Sequence, residues 1–216
     1  MKKEEFRKVI ERDFGKKEFQ KLMKLNKEKK VQNFLNELEI NFEYKGDTCM
    51  SPFRVLQEKK AHCIEGAMLA ALILRLHGEK SLVVDLTATE KDFDHVICVF
   101  NKYGKWGCIS KSNHAAHRYR EPIYRDIREL VMSIFHEYID KEGRKTLRSF
   151  SQPVDLEKFD YLQWWKVEHD LWEIPEYLAE VKHENILNRK QIANLRKADK
   201  IEIDVGNVVE WKEEKR

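Results

Sequence analysis

Residues 57–77 read QEKKAHCIEGAMLAALILRLH, and this stretch decides the fold. From Ile64 to Leu76 only Glu65, Gly66 and Arg75 are polar or lack a side chain, and every residue between Ala67 and Leu74 is apolar. A helix that is apolar all round belongs inside a fold. At about 15 residues it falls short of the roughly 20 that a bilayer span needs. The stretch therefore predicts a central core helix with Cys63 in its first turn. Amides of a helix's first turn lack partners, and the helix dipole adds partial positive charge there. A thiol at that place has a lowered pKa and can act as a nucleophile. It equally suits a small apolar core residue, since buried free Cys is common. Ala61-His62 offers no good N-cap side chain, so the first-turn amides are expected to be free.

The 216 residues suffice for one domain of ordinary size or for one with a helical appendage. Hydrophobic residues make up 42% and charged residues 37%, which excludes a disordered chain despite the charge. Net charge is +3, too little to imply nucleic acid. Residues 1–30 carry 12 Lys/Arg against 6 Asp/Glu, so the first helices present a basic, solvated face. The start, MKKEEFRK, has no apolar signal region, and no run is long enough to span a membrane. Cys49, Cys63, Cys98 and Cys108 are then expected as free thiols in a reducing cytoplasm.

Outward from the core helix, apolar spacing predicts helices over 3–14 and 18–39. Ser51-Pro52 reads as an N-cap with proline at the first helical position. After His77-Gly78 the pattern becomes β-branched, and strands are expected at 81–87, 94–100 and 105–110, the last two joined through the Asn101–Gly104 turn. A helix is predicted over 125–140, a short strand over 146–150, helices over 175–187 and 189–198, and a strand over 201–205. No repeat and no phosphate-binding glycine loop occurs. The expected class is α+β, with a helical region at 1–45, a core at 46–145 and a mostly helical extension at 146–216.

Three elements carry candidate chemistry. Cys63 starts the core helix, His95 opens the second strand, and the third strand ends at Ile109-Ser110. A thiol nucleophile needs a base and a group that orients the base. In this order and spacing, Cys63-Ile64-Glu65-Gly66-Ala67, Leu74-Arg75-Leu76-His77-Gly78, His95-Val96-Ile97-Cys98-Val99 and Trp106-Gly107-Cys108-Ile109 resemble the core of the transglutaminase-like superfamily, over residues 57–110. The resemblance implies a papain-like cysteine-protease fold, a central Cys helix packed on a small antiparallel sheet with extra flanking helices. It implies that Cys63 is the nucleophile and His95 the base. The family's third residue is usually an Asp, and Ser110 stands in its place. A hydroxyl carries no charge and is a weaker orienter than a carboxylate. Ser110 then suffices, or Asn113 substitutes, or the site is dead and the fold serves binding. Asp94 points to the face opposite His95, while Asp85 stays open as an orienter. Gln57, six residues before Cys63, is the oxyanion-hole candidate by analogy with papain-like proteases.

Zinc ligation by Cys98, Cys108, His114 and His117 is disfavoured, because there is no Cys-x-x-Cys and two of the four sit in apolar strand text. The basic run Lys111, His114, His117, Arg118, Arg120, Arg125 and Arg128 is interspersed with acids and reads as a solvated face rather than a nucleic-acid site. Trp164, Trp165 and Trp172 suit packing better than a substrate groove. The expected activity is that of a cysteine-dependent hydrolase or acyl transferase on a peptide or protein amide, with no cofactor and no metal. The alternative is a degenerate member acting as a binding or scaffold module.

Overall fold

The structure is a computed structural model and describes residues 1–212. In chain order the elements are α1 (Lys3–Phe14), α2 (Lys16–Lys24), α3 (Glu28–Glu37), β1 (Glu39–Ile40), α4 (Pro52–Glu58), β2 (Lys60–Ala61), α5 (Cys63–Leu76), β3 (Leu82–Thr87), β4 (His95–Lys102), β5 (Lys105–Ile109) and β6 (Arg120–Tyr124). Then come α6 (Ile127–Met132), β7 (Ser149–Ser151), β8 (Val154–Asp155), α7 (Glu173–Glu180), β9 (His183–Asn185), α8 (Arg189–Ala193) and α9 (Lys200–Gly206). Tight helical turns occupy Phe135–Glu137 and Leu156–Leu162. The class is α+β. Among the described residues no helix is long and apolar enough to cross a membrane.

The large sheet runs β6-β5-β4-β3-β7-β9, and β8 also pairs with β3. All its pairings are antiparallel. Alternation along the strands sends Val83, Val96, Cys98, Phe100 and Ile109 to one face and Val84, Leu86, Ile97, Val99 and Cys108 to the other. The first face packs on α5, which is buried from Ile64 to Leu76 without a break. The second packs on Ile127, Leu130 and Val131 of α6. Beyond α5 lie Phe6, Ile10 and Phe14 of α1, Leu22 of α2, Val31 and Leu35 of α3, and Trp164 and Trp165. The two tryptophans are core, with Phe6 edge-on to Trp165 at 5.6 Å. Trp172 is half-exposed.

The buried charge near the end of α5 is satisfied. Arg75 binds Asp160 through two nitrogens at 2.6 and 2.7 Å and lies 4.0 Å from the centre of the Phe6 ring. Glu65 near its start and Arg75 near its end both complement the helix dipole.

Several expected elements differ. The helix expected over 18–39 breaks at Leu25–Lys27, where a lysine-rich stretch has no buried side chain to hold a continuous helix. The helix expected over 125–140 ends at Met132. The extension after 146 is not mostly helical: it supplies β7, β8 and β9 to the large sheet. The helix expected to reach Leu187 stops at Glu180, because His183–Asn185 pairs with β7. The helix expected over 189–198 stops at Ala193. Residues 201–205, expected as a strand, lie in α9, where the Asp199 amide donates to Glu202 Oε2 at 2.7 Å. Such a local cap outweighs the β-branched composition.

Candidate active site

Cys63 is the first residue of α5 and His62 its N-cap. The expectation that Ala61-His62 offers no capping side chain needs correcting, because His62 and Glu65 form a capping box at the helix start. Glu65 is fully buried and accepts hydrogen bonds from the His62 amide (2.9 Å), the Met50 amide (2.9 Å), Thr48 Oγ1 (2.9 Å) and Asn41 Nδ2 (3.2 Å). Burial alone would raise its pKa; hydrogen bonding and charge from His62, then the two amides, hold it below the usual carboxylate range.

His62 Nε2 lies 2.9 Å from the Thr48 carbonyl and 3.3 Å from Glu65 Oε1. A carbonyl only accepts, so Nε2 carries a proton. Burial would lower the pKa of this imidazole, but the Cys63 thiol and Glu65 raise it instead.

On the sheet side, His95 Nε2 lies 2.7 Å from Ser110 Oγ, and that hydroxyl donates to the His117 carbonyl at 2.9 Å. A serine has one proton to give, so His95 Nε2 must be the donor of its bond. This tautomer leaves Nδ1 as the basic nitrogen of the neutral ring. Ser110 is itself fixed by Gln32 of α3, which accepts from its amide and donates to its carbonyl, both at 2.9 Å.

The sulfur of Cys63 is acted on by both rings. Burial would push the thiol up; hydrogen bonding from His62, then His95, and the charge of each bring it down to about 5. The other three cysteines show the opposite case, since burial pushes their thiols up. A thiol held this low is largely ionised at neutral pH, and the thiolate is the nucleophilic form.

A cavity of about 670 Å³ opens over the cluster. His62, Cys63, His95 and His117 line it, with Phe93 at its rim, 90% exposed. His117 stacks on Tyr138 at 4.6 Å, and burial followed by the charge of His95 lowers its pKa to about 3. Lys111 donates from Nζ to the carbonyls of Leu35 (3.0 Å) and Leu38 at the end of α3. A Cβ on Gly66 would stand 2.4 Å from Lys111 Cβ, so α5 and the chain after β5 touch only because residue 66 is glycine.

Of the expected site residues, Cys63, His95 and Ser110 come together. Gln57 does not: it is exposed near the end of α4 and does not line the cavity. Asn113 lines the cavity, but its carboxamide binds the backbone of Trp211 rather than His95. Asp85 is likewise no orienter of His95, because its Oδ2 lies 3.0 Å from His183 Nε2. Asp94 accepts from the Ala88 amide. Cys98 and Cys108 face opposite sides of the sheet, and no group of three metal-ligating side chains occurs among the described residues. The basic run is tied up internally: Arg118 pairs with Glu210, Arg120 with Glu137 and Arg128 with Glu184.

Sequence reasoning missed His62, Glu65 and Gln32. The first two carried a readable signal, a polar N-cap followed three residues later by Glu. Gln32 carried none, being 78 residues from Ser110. No protein-family model matches the chain, and no curated protein matches it either.

Proposed function

We propose that the chain is a cysteine-dependent hydrolase or acyl transferase with a transglutaminase-like, papain-like core, acting on a peptide or protein amide. The arrangement that carries this reading is Cys63 at a helix start between two imidazoles, one paired with Glu65 and the other with Ser110, which together hold the thiol low. In the proposed reaction the Cys63 thiolate attacks the amide carbonyl carbon, and the carbonyl π pair moves onto oxygen. The positive end of α5 favours that oxyanion. When the intermediate collapses, the C–N bond breaks, and the leaving nitrogen takes the proton from Nδ1 of the His95 imidazolium. A thioester remains. Water or an amine, deprotonated by the same nitrogen, attacks the thioester and regenerates the thiolate. His62 stays protonated throughout and balances the sulfur's charge.

The test is the rate of Cys63 alkylation by iodoacetamide against pH. The expected midpoint is near the thiol's lowered value of about 5, against about 8.5 for a free thiol. An ordinary thiol profile, or no labelling of the folded protein, sinks the reading.

A second reading, a binding module on a degenerate site, is favoured by Ser110 standing where a carboxylate is usual in the family resembled. Mass spectrometry of the protein with a peptide thioester distinguishes the two. A covalent acyl adduct on Cys63 supports the enzyme. A low-pH alkylation midpoint without any adduct supports the module.

A further inference from the structure

The wall of the cavity nearest Ser110 is a stretch of backbone already engaged by another stretch of the same chain. Ala115 donates its amide to the Val208 carbonyl at 3.0 Å, and the Glu210 amide donates to the Asn113 carbonyl at 3.0 Å. His114 and Val209 form an antiparallel bridge between these bonds. The Asn113 carboxamide adds a two-point contact to one residue: Oδ1 accepts from the Trp211 amide at 2.8 Å, and Nδ2 donates to the Trp211 carbonyl at 3.0 Å. His114 Nδ1 reaches the Gly206 carbonyl at 2.7 Å.

On the 206–211 side, each of these contacts is made by main chain. Side-chain identity enters at Glu210, paired with Arg118, and at Trp211, whose indole nitrogen is buried. Such a ledge recognises an extended backbone whatever its sequence, as a strand does when it adds to an edge. The occupying segment is thinly anchored: Val208 is 53% and Val209 37% exposed, Ile201 and Val205 of the preceding α9 are exposed as well, and Trp211 is only partly buried. Segments held mainly by backbone hydrogen bonds, with few buried apolar contacts, are those that open locally. Gly206 and Asn207 also line the cavity that Cys63 lines, so occupant and cysteine share one space.

We propose that the 113–115 ledge is a main-chain docking site for an extended polypeptide entering the Cys63 cavity, and that residues 207–211 occupy it as an internal competitor. The competition rests on Cys63 being the reacting group; the docking site does not.

The test uses the full chain with Glu210→Pro and Trp211→Pro, which remove two backbone donors of the occupying segment, together with the Glu210–Arg118 pair and the Trp211 indole, and leave residues 113–115 unchanged. Cys63 is labelled in parallel with iodoacetamide and with a blocked tetrapeptidyl chloromethyl ketone. Releasing a tethered competitor should speed the peptidyl reagent by about tenfold or more, with iodoacetamide unchanged, and a synthetic peptide of residues 200–212 should slow the peptidyl reagent again. An unchanged peptidyl rate, or an equal rise for both reagents, overturns the competition. Fluorescence anisotropy then reads the docking site alone, using the same peptide, labelled, on the released variant carrying Cys63→Ala. Saturable binding that Asn113→Ala weakens is expected, and absence of binding overturns the site. A failed alkylation profile with retained binding removes the proposed chemistry and leaves the docking site standing.

Discussion

Ser110 holds a place that a carboxylate would not fit. Its hydroxyl donates to the His117 carbonyl while accepting from His95. A carboxylate has no proton to donate, so Asp there would set two acceptors face to face in a buried place. Ser110→Asp is therefore expected to destabilise the fold without raising turnover. Ser110→Ala is expected to cost about 1–3 kcal/mol, the cost of leaving a buried donor without its partner, and to lower turnover more than it changes the alkylation midpoint. Urea melts and the alkylation profile read these separately. The buried carboxylate of the cluster is Glu65, 3.3 Å from His62 Nε2. Cys63, His95 and Ser110 were readable because each sits at the end of a strongly patterned element. Gln57 and Asn113 were not, since sequence spacing says nothing about which way α4 faces or what approaches Asn113 from 98 residues away.

At the scale of elements, α5 carries the core. Leu72 is fully buried at its middle. Leu72→Ala is expected to destabilise the protein by about 2–5 kcal/mol, with a lower midpoint in denaturant and an unchanged slope as the check. This helix and β3 to β5 were readable from the sequence, because burial on all sides or alternation along a strand leaves a local imprint. Strands β6 and β9 were not, as they are short and defined by partners elsewhere in the chain, β9 pairing with β7 some 34 residues back, whereas β7 overlaps the short strand expected over 146–150. In α9 the local signal was present, as Asp199 and Glu202 at capping spacing, but the β-branched residues between and after them pointed the other way.

Across the whole molecule, helices, sheet and α6 form three layers, and the candidate site sits where the layers meet. Cys63 belongs to the helical layer and His95 to the sheet. Gln32 of α3 grips the Ser110 backbone, so α3 belongs to the site, and α1 and α2 pack into the same core beyond α5. What sets the gap between the layers is the contact of Gly66 with Lys111, the residue next to Ser110. Gly66→Ala would wedge a methyl group into it. It is expected to cost about 1–3 kcal/mol, as overpacked cores do, and to move the alkylation midpoint up toward that of a free thiol, while touching neither imidazole. The hydrogen atom at position 66 thus works as a spacer gauge: the acidity of the thiol is a length, set by what one residue leaves out.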